Sequence, residues 1–64
     1  MKTVYINNQF FGEIINSGII IDIKGAKVGY YTDNKILTYA GNLIGEVNNG
    51  YILDEQGNKI GWIT

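Results

Sequence analysis

Residues 50–64 read GYILDEQGNKIGWIT. A turn cluster, Asp54-Glu55-Gln56-Gly57, separates two apolar runs. Gly61 interrupts the second run beside Trp62, the only tryptophan. Moved back 32 positions, the stretch lies on residues 18–32, GIIIDIKGAKVGYYT. Ile52 then meets Ile20, Asp54 meets Asp22, Gly57 meets Gly25, Lys59 meets Lys27 and Gly61 meets Gly29. Moved back 16 positions, it meets Ile36, Leu37, Gly41, Asn42, Ile44, Gly45 and Val47. A degraded copy, TVYINNQFFGEI, starts at Thr3, with Phe11-Gly12 standing for Ile60-Gly61. Self-similarity at a fixed period marks a repeat architecture. The chain is one domain, 1–64, of four units near 1–16, 17–33, 34–49 and 50–64.

Each unit has the chemistry of a β-hairpin. Short runs rich in Ile, Val and Tyr flank a turn, as strands require. Asp54 opens a type I turn whose carboxylate reaches amides two residues on, and Gly57 suits the left-handed position after it. A three-residue loop with a glycine bulge is expected there. Asp22-Ile23-Lys24-Gly25 repeats the pattern, and Thr38-Tyr39-Ala40-Gly41 is a weaker version. Asn16-Ser17-Gly18, Asp33-Asn34 and Asn48-Asn49-Gly50 make tight connections between units. No connection has room for a crossover helix, and no window shows a 3.6-residue period. The expected fold is all-β, an antiparallel meander of about eight short strands. It closes as a small barrel or packs as stacked hairpins.

A second glycine recurs as apolar-Gly-x-apolar, at Gly12, Gly29, Gly45 and Gly61. In a regular strand, residues three apart point to opposite faces. A bulge or bend at the glycine puts both apolar neighbours on one face. Close approach of another backbone is the other structural use of such a glycine, and a backbone groove for a ligand is the functional one. The last strand would expose a sticky edge around Trp62 and Ile63 unless it paired with the first strand or another subunit.

Composition narrows the chemistry. The 64 residues contain no Cys and no His, which removes disulfides, thiolate sites and imidazole bases. No metal or cofactor is expected. Ser17 is the only serine and lies in a turn, and a serine triad needs a histidine. No phosphate-binding GxxxxGK[ST] occurs. Glu13 and Glu46 share a repeat position, so symmetry could pair the two carboxylates for acid–base work. Outward polar positions on half-exposed strands explain them better, and turns explain Asp22 and Asp54. No catalytic residue is assigned, and the protein is expected not to be an enzyme. Five Lys, no Arg and six acids give a net charge of −1. That is a poor match to nucleic acid. There is no signal peptide and no apolar membrane span, and a cytoplasmic location is expected.

Burial and ordering entropy nearly balance in a chain this short. With no disulfide or metal to help, self-association is the expected support. Tyr30 and Trp62 are equivalent two units apart, while Glu13 and Glu46 fill that position in the other units. Aromatics therefore alternate with acids. Tyr and Trp anchor interfaces, and sugars stack on their rings. The candidate binding residues are Tyr30, Tyr31, Trp62 and Ile63, set against a core or subunit-packing role for the same side chains.

The run YILDEQGNKIGWI resembles the aromatic hairpin repeats of bacterial cell-wall-binding and choline-binding modules. The positions that carry the resemblance are Tyr51, Leu53, Gly57, Gly61 and Trp62. In that family paired hairpins form aromatic cages. The period here is nearer 16 than 20 and one unit alone has Gly-Trp, so the resemblance is one of hairpin geometry.

The expected function is a small interaction protein that self-associates and binds another macromolecule, such as an accessory or inhibitor protein of a mobile element. A small-molecule or glycan-binding module, and a purely structural self-assembling part, are the alternatives.

Overall fold

The computed structural model describes residues 2–64. Eight strands follow one another: β1 (Lys2–Ile6), β2 (Gln9–Ile14), β3 (Ile19–Ile21), β4 (Lys27–Thr32), β5 (Lys35–Thr38), β6 (Leu43–Asn48), β7 (Tyr51–Leu53) and β8 (Lys59–Ile63). A single 3-10 turn, Asn16–Gly18, joins β2 to β3. Every strand pairs antiparallel with the next, and β8 pairs with β1. Of the two architectures the sequence allows, the chain adopts the closed barrel. The last strand is therefore not an edge. At the seam Val4 faces Ile63, Tyr5 faces Trp62 and Ile6 faces Gly61. The Thr64 amide donates to the Thr3 carbonyl at 3.0 Å, and the Asn7 amide donates to the Ile60 carbonyl at 2.8 Å.

The turns follow from their side chains. In the loop from β7 to β8, the Gly57 amide donates to the Asp54 carbonyl at 3.0 Å, and the Asp54 amide donates to the Asn58 carbonyl at 2.9 Å. Gly57 sits at φ 82, where a β-carbon is disfavoured. The Asp54 carboxylate accepts from the amides of Gln56 at 2.9 Å and Asn58 at 2.8 Å. Asp22 does the same with Lys24 and Ala26, both at 2.9 Å. The Thr38 hydroxyl captures one amide, that of Asn42 at 3.0 Å, where a single carboxylate oxygen of Asp22 or Asp54 holds two. The first unit departs from this scheme. Its hairpin turns on Asn7 and Asn8 alone, at φ 54 and 64, in the left-handed region that asparagine tolerates best.

The core follows the repeat. Val4, Ile20, Ile36 and Ile52 are fully buried, and each is repeat-equivalent to the next. Each faces a buried glycine across its own hairpin: Val4 with Gly12, Ile20 with Gly29, Ile36 with Gly45, Ile52 with Gly61. The ladder slips just beyond each couple, leaving Phe11, Val28, Ile44 and Ile60 without a register partner. The slip turns each of these residues inward. Phe11 and Ile14 both pack on the core, as do Val28 and Tyr31, Ile44 and Val47, and Ile60 and Ile63.

Space, rather than conformation, demands the glycine. None of these four glycines has positive φ. A β-carbon on Gly12 would lie 2.5 Å from the Ile21 carbonyl oxygen, and one on Gly45 would lie 2.7 Å from that of Leu53. On Gly29 and Gly61 it would meet the carbonyl oxygens of Leu37 and Tyr5. In each case the oxygen belongs to the first strand of the adjoining hairpin. The four glycines are where hairpins come together.

Candidate functional site

Residues next to the buried positions point outward, and the register lines them up in four rows. Each row crosses four strands. The first runs Tyr51, Trp62, Tyr5, Phe10 over β7, β8, β1 and β2. The second runs Ile19, Tyr30, Leu37, Leu43 over β3 to β6. The remaining two carry charge: Lys35, Glu46, Leu53, Lys59 over β5 to β8, and Thr3, Glu13, Ile21, Lys27 over β1 to β4. Since β4 and β8 are four strands apart in a ring of eight, the two apolar rows lie on opposite sides. The alternation of aromatic and acidic residues along the sequence becomes a half-turn pseudosymmetry of the surface.

The first row is a ladder of rings. Tyr5 and Trp62 stack with centroids 5.1 Å apart and planes 20° from parallel. Phe10 meets Tyr5 edge-on at 6.3 Å. The Lys59 ammonium lies 4.0 Å from the centre of the Tyr51 ring. Such contacts add roughly 0.5–1.5 kcal/mol each beyond area burial. The stack and the ammonium each occupy one face of the rings they touch. Phe10 and Tyr51 at the two ends remain 44% and 43% exposed.

The second row has one stacked couple. Tyr39, in the loop from β5 to β6, lies on Tyr30 with centroids 5.3 Å apart. Partial desolvation, and then the neighbouring Tyr39 hydroxyl, hold the Tyr30 hydroxyl above its ordinary pKa. Leu43 at the end of this row is 51% exposed.

The structure does not bring Tyr30, Tyr31, Trp62 and Ile63 into one site. Tyr30 and Trp62 point outward on opposite sides. Tyr31 and Ile63 point inward, pack on the core and line a depression of about 380 Å³ at the end where the hairpins join. The Tyr31 hydroxyl donates to Asn34 Oδ1 at 3.4 Å there. Tyr5, Phe10 and Tyr51, which complete the row around Trp62, are absent from the sequence-derived site. Aligning the positions beside each core residue and each glycine is the signal that gathers them.

The carboxylates are dispersed. Glu13 on β2 and Glu46 on β6 are four strands apart and face opposite sides. Glu46 Oε2 is 3.8 Å from Lys35 Nζ, an exposed pair of the kind worth at most about 1 kcal/mol. Asp54 is held in its turn, and the amide of Asn58 with its fellow donors keeps its carboxyl below the ordinary value. Among the described residues no cluster of His, Cys, Asp or Glu is placed to hold a metal ion. No helix among the described residues is long and apolar enough to cross a membrane.

The fold and its surface define a closed barrel of four hairpins whose outer face is written by the repeat. Residues 3–64 match the family model described as 4-fold beta flower protein, and the chain belongs to that family. No curated protein and no solved structure matches it. Tyr51, Trp62, Tyr5 and Phe10 lie in a row on the outside of one ring of hairpins while Phe11 and Tyr31 pack inside it, in place of the cages implied by the cell-wall-binding resemblance.

Proposed function

We propose that the protein is a non-enzymatic interaction module that self-associates and binds another macromolecule, through the apolar rows on its outer face. The observation that carries this is the unbroken line Tyr51, Trp62, Tyr5, Phe10 across four strands. None of these four belongs to the buried core. Contiguous exposed apolar surface of this kind is characteristic of interfaces, and Tyr and Trp are the commonest anchors. With one face each of Tyr5, Trp62 and Tyr51 already engaged, the row favours a broad protein contact over a sugar or base stacked face-on. Glu13 and Glu46, being on opposite sides, do not make an acid–base couple.

Affinity capture from the source cell tests the proposal when run with three baits: the native chain, Phe10→Lys and Leu43→Lys. The expected result is a protein retained by the native chain and lost with at least one variant. Capture that is identical for all three baits overturns it. The glycan-binding alternative rests on two shallow depressions of about 350 and 400 Å³ that share Tyr51 and Trp62. Titration of Trp62 fluorescence with oligosaccharides decides it, and a saturable change would favour the glycan.

A further inference from the structure

We infer that the row Tyr51, Trp62, Tyr5, Phe10 is the contact between two copies of this chain, which leaves the opposite row for the other macromolecule. This rests on the interaction reading above and assigns its two activities to separate faces.

The assignment comes from the charges around each row. A two-fold contact uses one patch twice, so the patch must complement itself. Lys59 lies towards the hairpin-turn end of the first row, with its ammonium over Tyr51. Glu13 lies at the diagonal corner, on β2 and facing Thr3 of β1, towards the other end of the barrel. Among the described residues neither has an ion-pair partner within the chain. Laid face to face about a two-fold axis crossing that diagonal, two copies bring Lys59 of each against Glu13 of the other. Trp62 and Tyr5 fall at the centre, where buried aromatics count most. The second row has the same outline, with Lys27 and Glu46 at its corners, yet its Glu46 is already engaged by Lys35 at 3.8 Å. Among the described residues, the first row alone keeps both corner charges out of an ion pair.

The contact is small. Four strands at about 4.8 Å spacing make a row roughly 14 Å long, on a convex barrel. The whole molecule exposes 4342 Å². The association therefore belongs with the low-area, reversible interfaces and depends on protein concentration.

Charge reversal tests it. Sedimentation across a concentration series is run on the native chain, Glu13→Lys, Lys59→Glu, and an equimolar mixture of the two variants. The native chain is expected to dimerise. Each variant alone places like charges at both corners and should associate at least about tenfold more weakly. The mixture should associate again, because each mixed dimer contains one Lys59–Glu13 couple and one reversed couple. Thermal unfolding of each variant, expected to match the native chain, separates loss of contact from loss of fold. A mixture that stays monomeric while the native chain dimerises overturns the inference. So does a dimer indifferent to both reversals but dissolved by Leu43→Lys, which moves self-association to the second row and leaves the interaction reading standing. A native chain that is monomeric at every concentration removes self-association altogether. Partner capture by that monomer would still support the remaining half of the proposal.

Discussion

The α-carbon of Gly61 lies beneath the main-chain carbonyl of Tyr5, at the seam where the last strand meets the first. The same approach joins Gly12 to Ile21, Gly29 to Leu37 and Gly45 to Leu53. Four equivalent contacts set the diameter of the ring, because a side chain at any of them would push two hairpins apart.

Gly61→Ala should therefore destabilise the protein strongly. Its methyl group has main chain in front of it, and Ile6 and Tyr5 cannot swing aside as side chains do. Overpacking of this kind costs about 1–3 kcal/mol, occasionally more. Urea unfolding measures it. A midpoint unchanged from the native chain would show that the seam yields freely.

Ile36 is fully buried with Val4, Ile20 and Ile52. In so small a core, Ile36→Ala should cost about 2–5 kcal/mol and Ile36→Val about 0.5–1.5 kcal/mol. The valine variant reproduces what the first unit already carries at Val4. Comparing both variants by thermal unfolding checks the ratio, and equal costs would show that the centre of the barrel is loosely packed.

The three equivalent loops differ in how many amides their first side chain holds. Asp22 and Asp54 hold two each, whereas Thr38 holds one. Thr38→Asp should stabilise the third hairpin by about 0.5–1 kcal/mol, the net worth of one more hydrogen bond. The gain should vanish in acid, and a loss at neutral pH would count against the loop comparison.

Asp54 titrates below its ordinary value of 3.8 because the amides of Asn58 and Gln56 favour the carboxylate. Its contribution to stability is complete at neutral pH and disappears as the pH falls below about 4, through the lowered folded-state value. The melting temperatures of the native chain and Asp54→Asn should differ at pH 7 and converge near pH 2. A difference that persists in acid would mean the turn does not depend on the charge.

Tyr30 behaves in the opposite sense. Its raised value, against an ordinary 10.0, means the folded state favours the neutral hydroxyl. That stability is present below about pH 10 and is lost as the pH rises through the raised value. Tyr30→Phe should unfold less steeply with alkali than the native chain. Identical alkaline profiles would show that the couple with Tyr39 is not sensed by the hydroxyl.

The hairpins were legible because their signals are local. Asp54 and Gly57 dictate a turn within four residues, and the alignment of Ile52 with Ile36 and Ile20 needs nothing but the chain itself. Closure was left open between two forms because it depends on how Tyr5 meets Trp62, 57 positions apart in the sequence. The surface row was hidden for the same reason. Tyr5 and Phe10 stand in the most degraded repeat, and the equivalents of Phe10 in the other units are Lys27, Leu43 and Lys59. Tyr31 shows the limit of grouping by adjacency: it is a candidate binding residue beside Tyr30, but successive residues of a strand face opposite ways, and Tyr31 packs on the core.

The bonding of Thr64 to Thr3 makes the seam one more junction between hairpins, of the same kind as the three the chain crosses covalently. The molecule is thus a ring in which the position of the break is incidental. A short turn such as Asn49-Gly50 placed between residue 64 and residue 2 would circularise it. New ends opened at Asp33-Asn34 should then give a permuted chain with the same barrel.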